Sequence, residues 1–213
     1  MIIDDAEGLV FRPPSEARSF ILRVTIGCSH NTCRFCTMYK GSKFRIRPLA
    51  EIDGIIERAA AAMPYTRRVF LADGDALVLP VQSLLHILKS CYAAFPALTR
   101  VGAYATVADL DRKTPEELKA LKEAGLKIIY VGIESGSDKV LKLMNRKYTV
   151  EWYLSRVKAI RELVPDCGHE AFRHDSPRFG RTEPFQRTRR GNGRCHFSRQ
   201  SDNAQRFNPD DPR

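Results

Sequence analysis

From residue 165 to the C-terminus the sequence contains no leucine, isoleucine or valine, and after Lys158 it contains no lysine. Ten arginines run from Arg173 to Arg213, among Pro, Gly, Ser, Asn and Asp, with Phe172, Phe179, Phe185, Phe197 and Phe207 at no regular period. A segment so poor in aliphatic side chains cannot offset an ordering entropy of about 1–2 kcal/mol per residue. Residues 164–213 are therefore expected to form a low-order, Arg-rich tail. Two origins for it stay open. It is a natural arm for nucleic acid, or the gene is truncated or read out of frame after about residue 164, at the cost of the later strands. The abruptness of the change favours the second.

Other absences narrow the function classes. No apolar stretch reaches the roughly 18 residues of a membrane span. Met1 to Glu16 carries Asp4, Asp5 and Glu7 and no apolar run, unlike a signal peptide. A cytoplasmic, membrane-free protein is expected, and there the six cysteines argue for metal ligands or catalytic thiols over a disulfide framework. The net charge of +10 favours an anionic partner, nucleic acid among the candidates. Of that charge the tail supplies +3, which leaves residues 1–163 at a modest +7.

What is present alternates. Pro13-Pro14 marks residues 1–17 as an extended leader. Residues 18–163 read as one core, beginning with a strand over Phe20 to Ile26. Ile52, Ile55, Ile56, Ala59, Ala60 and Met63 mark a helix that starts at Pro48. Val69 to Ala72 is a short apolar strand ending at Asp73-Gly74-Asp75, and Val81, Leu84, Leu85 and Leu88 mark the next helix. A third strand, Val101 to Ala105, runs into Thr106 and a loop. Thr114-Pro115-Glu116-Glu117 has the form of a capping box, and its helix stops at Gly125. Ile128 to Ile133 is a fourth strand, ending at Glu134-Ser135-Gly136-Ser137-Asp138. Val140, Leu141, Met144, Val150, Leu154, Val157 and Ile160 lie on the apolar faces of one or two further helices.

Strand–helix alternation of this kind implies an α/β fold with a parallel sheet, whose ligands sit at the carboxyl ends of the strands. Three strand ends are polar or glycine-containing, and the first runs into Cys28-Ser29-His30-Asn31-Thr32-Cys33-Arg34-Phe35-Cys36. Thiols at such spacing can reach one metal centre, as in zinc and iron–sulfur sites. No fourth cysteine lies nearby, since Cys91 falls on a helix and Cys167 and Cys195 in the tail. A cubane with three protein ligands keeps one iron open for an exchangeable ligand. His30 reads as a loop residue beside the site. The basic run Lys40 to Arg47 reads equally as a contact for an anionic substrate and as a plain surface loop.

These residues resemble the radical SAM superfamily, in which three closely spaced cysteines hold a [4Fe–4S] cluster. The common spacing there is C-x3-C-x2-C, and the first gap here is one residue longer, as in a subgroup without known substrates. The resemblance runs from about Arg12 to Leu163. It implies a partial (β/α)6 TIM-like barrel, with about four βα units in this chain. It also implies an enzyme that binds S-adenosylmethionine and cleaves it reductively to a 5′-deoxyadenosyl radical, using an electron donor of the flavodoxin or ferredoxin type. By position, Cys28, Cys33 and Cys36 become the metal ligands and Phe35 lies near the adenine. Gly74 and Asp75 meet the methionine amino group, and Glu134 and Ser135 the ribose or the methionine carboxylate. The family's apolar segment on strand five would fall near residues 166–175, and Cys167 to Asp175 does not carry that pattern. The substrate and the residues acting on it are not implied. From a different class, a non-catalytic zinc or iron–sulfur module, structural or redox-sensing, would use the same three thiols.

Overall fold

A computed structural model describes residue 4 and residues 10–34, 36–132, 134–163 and 168–172. Five parallel strands form the main sheet in the order β1 (Phe20–Arg23), β4 (Arg68–Ala72), β5 (Arg100–Ala105), β6 (Leu126–Gly132) and β7 (Gly168–Phe172). Within this sheet each strand lies beside the next sheet strand along the chain, and helices form the crossovers between parallel neighbours. The crossovers carry α1 (Leu49–Ala62), α2 (Val81–Ala94), the short α3 (Val107–Asp111), α4 (Pro115–Glu123), α5 (Asp138–Leu143) and α6 (Val150–Leu163). The α/β architecture and its four βα units match the expectation from sequence. Among the described residues no helix is long and apolar enough to cross a membrane.

The chain leaves β1 sooner than the apolar run Phe20 to Ile26 predicts. After Arg23 it departs from the sheet, and β2 (Thr25–Ile26) pairs antiparallel with β3 (Arg45–Ile46) in a separate hairpin. Arg47 holds this departure: its backbone N–H donates to Val24 O at 3.1 Å and its guanidinium to Arg23 O at 3.2 Å. The same guanidinium grips Asp4 in the leader through two bonds of 3.0 and 2.7 Å.

Helices α1, α2, α3, α4 and α6 pack on one face of the sheet. Leu22, Val69, Leu71, Val101, Ala103, Ile129 and Val131 from the strands meet Ile52, Ile55, Leu84, Leu88, Leu118 and Leu121 from the helices in one core. Each such aliphatic side chain contributes about 1.5–3 kcal/mol on burial. The alternate strand positions make a second, aromatic cluster, in which Phe70 meets Tyr104 and Tyr130 edge to face at 4.9 and 5.6 Å. The leader seals the N-terminal end of that face. Pro14–Glu16 makes a 3-10 turn, and the fully buried Glu16 accepts from Tyr130 Oη at 2.6 Å and pairs with Arg100 at 2.9 Å.

Three expectations shift. Met63 and Leu154, placed on apolar helix faces, are 37% and 51% exposed. Met63 lies one residue past the end of α1, where the chain leaves the helical path, and α6 turns Tyr153 inward instead of Leu154. The third is β7, which lies inside the segment read as tail and pairs with Ile128 to Gly132 of β6. Its sequence, Gly-His-Glu-Ala-Phe, has no aliphatic pattern to reveal it, but main-chain pairing to a formed neighbour needs none. The remainder of the segment, residues 164–167 and 173–213, lies outside the described residues, as does Phe35.

Candidate functional site

Four strands end at one rim. β1 leads through the β2 hairpin strand to Gly27 and the cysteine loop. β4 ends at Asp73-Gly74-Asp75, β5 at Thr106, and β6 at the segment around Glu134. Gly27 adopts φ +75°, a region open to glycine, and so turns the chain out of β2 into the loop.

The cysteine loop is tied to the end of β4 through its backbone. Asp73, also left-handed at φ 76°, is wholly buried; its carboxylate accepts from Gly27 N–H at 2.9 Å and from Arg23 Nη2 at 3.1 Å. It is an internal brace and caps no helix. Gly74 N–H donates to Gly27 O at 3.1 Å, and the Cys28 thiol donates back to Gly74 O at 3.8 Å. A Cβ on Gly74 would lie 2.4 Å from Cys28 Cβ and 2.9 Å from the Tyr39 ring, so only glycine permits this approach.

Asp75 follows on the same rim and is 1% exposed. Ser29 Oγ, beside Cys28, donates to its Oδ2. Its carboxyl faces Asp109 of α3. Burial, and next the Asp109 carboxyl, push the Asp75 carboxyl up to about 8. Burial works to raise Asp109, but it is held low first by the hydrogen bond from the Asp75 carboxyl and then by the hydroxyl and backbone N–H of Thr106 and the Arg112 guanidinium. Across the pair, Asp75 therefore carries the proton and Asp109 the charge.

The other side of the loop is gripped from the end of α5. Arg34 N–H donates to Met144 O at 3.3 Å, and Asn145 Nδ2 to Thr32 O at 3.1 Å. Arg146 forms a buried ion pair with Glu134, lies 5.9 Å over the Tyr148 ring, and acts electrostatically on Cys33. Ser135 Oγ accepts from Ser137 N–H at 3.2 Å and so shapes the turn into α5.

The three thiols are neighbours. Cys33 is 7% exposed and Cys28 and Cys36 are half-buried. Burial first, and then the charges of Asp75, Cys33 and Cys36, push the Cys28 thiol up to about 11 against the lowering effect of the His30 backbone hydrogen bond. Burial raises Cys33 as well. Among the described residues no three His, Cys, Asp or Glu side chains close on one metal point. Metal ligation of a thiol replaces its proton. Three soft sulfur donors on one glycine-hinged loop, backed by the buried Tyr39 Oη and His30 Nε2, which have no hydrogen-bond partner among the described residues, fit an iron–sulfur cluster.

A family model described as the radical SAM superfamily matches residues 22–172. The chain belongs to that superfamily. Radical SAM proteins are enzymes that use a [4Fe–4S] cluster and S-adenosylmethionine. A tRNA-2-methylthio-N(6)-dimethylallyladenosine synthase from Phocaeicola vulgatus is 43% identical over 153 residues, covering 67% of this chain and 32% of that protein. The match thus spans a third or less of the length of the curated relatives. Among solved structures, the cobalamin-dependent S-adenosylmethionine radical enzyme OxsB with aqua-cobalamin bound aligns with a TM-score of 0.54 at 22% identity. The alignment covers 70% of this chain and 23% of that one. The radical S-adenosylmethionine methyltransferase TsrM from Kitasatospora setae, with cobalamin and a [4Fe–4S] cluster bound, aligns with a TM-score of 0.51 at 18% identity. Here 71% of this chain and 29% of that one are covered. At these identities the likeness is one of fold, a radical SAM barrel.

The rim thus brings together Cys28, Cys33, Gly74, Asp75, Glu134 and Ser135, with Cys36 beside them. Sequence reading missed three of its residues. Asp109 was detectable, because Thr106-Val107-Ala108-Asp109 is itself a capping box, which the structure forms in full. Arg146 had no signal beyond being a basic residue after a short helix. Tyr39 looked like any loop aromatic.

Proposed function

We propose that this chain is the catalytic core of a radical SAM enzyme, with Cys28, Cys33 and Cys36 as thiolate ligands of a [4Fe–4S] cluster. The observation that carries this reading is the convergence on one rim of three sulfur donors and the polar ends of β4 and β6. When bound, the cluster and S-adenosylmethionine supply a low-potential electron and a source of the 5′-deoxyadenosyl radical. The chain's own groups bind and orient. Gly74 and Asp75 sit beside Cys28, where a cofactor amino group would meet a carboxyl oxygen and a backbone carbonyl. Glu134 and Ser135 offer oxygens to ribose hydroxyls, Arg146 offers a guanidinium to a carboxylate, and Phe35 is assigned to the adenine. The leader, Phe11 and the aromatic face keep water from the interior.

For the substrate, we infer a tRNA base. The support is the relationship to the P. vulgatus synthase and the exposed cations Arg34, Lys40, Lys43 and Arg45 on and beside the cysteine loop. Such a ridge suits a phosphate backbone. Because the match spans a third or less of its relatives, this substrate is an inference for the core and its partner segments together.

The test is anaerobic reconstitution with iron and sulfide, then dithionite and S-adenosylmethionine. 5′-Deoxyadenosine should form, and unmodified tRNA should raise its yield. A reconstituted chain that forms none refutes the enzyme reading. One zinc per chain and no sulfide would favour the non-catalytic metal module.

A further inference from the structure

Tyr39 lies three residues after the last ligand thiol and is 6% exposed. Its hydroxyl is buried and has no hydrogen-bond partner among the described residues. An uncompensated buried phenol is uncommon in folded proteins and asks for an explanation. Its placement is fixed from three sides. Phe11 packs edge-on against the ring, with centroids 5.6 Å apart. Asn31 Nδ2 and Ser42 N–H hold the Tyr39 carbonyl at 2.9 and 3.1 Å. The missing side chain of Gly74 leaves room where the ring and Cys28 Cβ crowd the same point. Burial acts first on the phenol, and the charges of Asp73, Tyr104, Cys28 and Cys36 act on it next; at Gly74 its ring and Cys28 Cβ border the same gap.

We propose that the Tyr39 hydroxyl donates a hydrogen bond to a sulfur of the cluster held by Cys28, Cys33 and Cys36, and so raises the potential at which that cluster accepts an electron; the inference rests on the cluster-binding reading above. Hydrogen bonds to the sulfurs are among the factors that set iron–sulfur potentials. The donated proton offsets the charge added on one-electron reduction, whose electron comes from a low-potential reductant. The phenol keeps its proton, because burial drives its ionisation far above the usual tyrosine range. The competing acceptor is Asp73 Oδ1, also buried without a hydrogen-bond partner among the described residues.

The experiment is a potentiometric titration of the reconstituted full chain, followed by the electron paramagnetic resonance of the reduced cluster, for wild type and Tyr39→Phe. The variant should show a tenfold smaller equilibrium constant for reduction, a shift of about 59 mV to more negative potential for one electron. A potential equal to that of wild type overturns the proposal and leaves the phenol to Asp73. Should Tyr39→Phe fail to hold a cluster, wild type labelled with 17O in its tyrosine hydroxyls decides. A hyperfine coupling between label and reduced cluster supports the bond, and its absence overturns it. Wild type that takes up no iron and sulfide refutes the functional reading itself and this inference with it.

Discussion

Gly74→Ala tests whether the cysteine loop and the end of β4 form one packed unit. The added Cβ would lie 2.4 Å from Cys28 Cβ, 3.0 Å from Cys28 Cα and 2.9 Å from the Tyr39 ring. Carbon pairs rest at about 3.5–4.0 Å, so the overlap exceeds about 1 Å against Cys28 Cβ and is at least about 0.5 Å against Cys28 Cα and the Tyr39 ring. None of these obstacles is the far end of a flexible side chain. Cys28 is fixed by the Gly74–Gly27 backbone bond, and Tyr39 is wedged by Phe11. Overpacking costs about 1–3 kcal/mol, and the upper end applies here. At about 2–4 °C per kcal/mol for a chain of this size, the melting temperature should fall by about 6–12 °C. Thermal unfolding by circular dichroism reads the loss, and iron and sulfide per chain after reconstitution should fall with it. Gly54→Ala is the counterpart. Gly54 lies within α1, where a Cβ meets only Arg58 Nη1 at 3.4 Å, so alanine should raise stability by up to about 1 kcal/mol. A Gly74→Ala protein that melts within about 2 °C of wild type with full iron content would refute the packing argument.

Much of this unit was legible from composition alone, and the reason is physical. Continuous apolar runs such as Val69 to Ala72 specify a strand beneath helices, and the three- to four-residue spacing of Ile52, Ile55, Ile56 and Ala59 specifies the helix that covers it. Capping residues then fix where elements begin, as Thr114 and Glu117 do for α4. Strand ends follow from strands, so the rim and its cysteines were legible too. What was not legible depends on long-range contact. Nothing local marks Glu16 as the buried partner of Tyr130 and Arg100, more than eighty residues away. Arg146 meets Glu134 only because α5 turns back over the cysteine loop. β7 takes its strand state from β6 and not from its own side chains.

Three further outcomes follow from the site and its braces. Alanine at Cys28, Cys33 or Cys36 should abolish cluster uptake, whereas Cys91→Ala, in the helical core, should retain full iron and sulfide and cost only about 1 kcal/mol. Arg23→Met removes the guanidinium 3.1 Å from the buried Asp73 carboxylate, and denaturant unfolding should show a loss of about 3–5 kcal/mol. The third concerns Asp75, whose carboxyl stands at about 8 in the folded chain against an ordinary 3.8. Between these values the folded state binds a proton that the unfolded chain has released, so stability falls as pH rises. The stabilising increment is complete below about pH 3.8 and is lost as pH climbs toward about 8, with a slope of at most about 1.4 kcal/mol per pH unit. Asp75→Asn keeps the shape and has no proton to release. The stability of wild type minus that of Asp75→Asn, followed from pH 5 to pH 8, should therefore decline steadily. A difference that stays flat across that range would mean that Asp75 is ionised in the folded protein, and the proton-sharing pair with Asp109 would have to be abandoned.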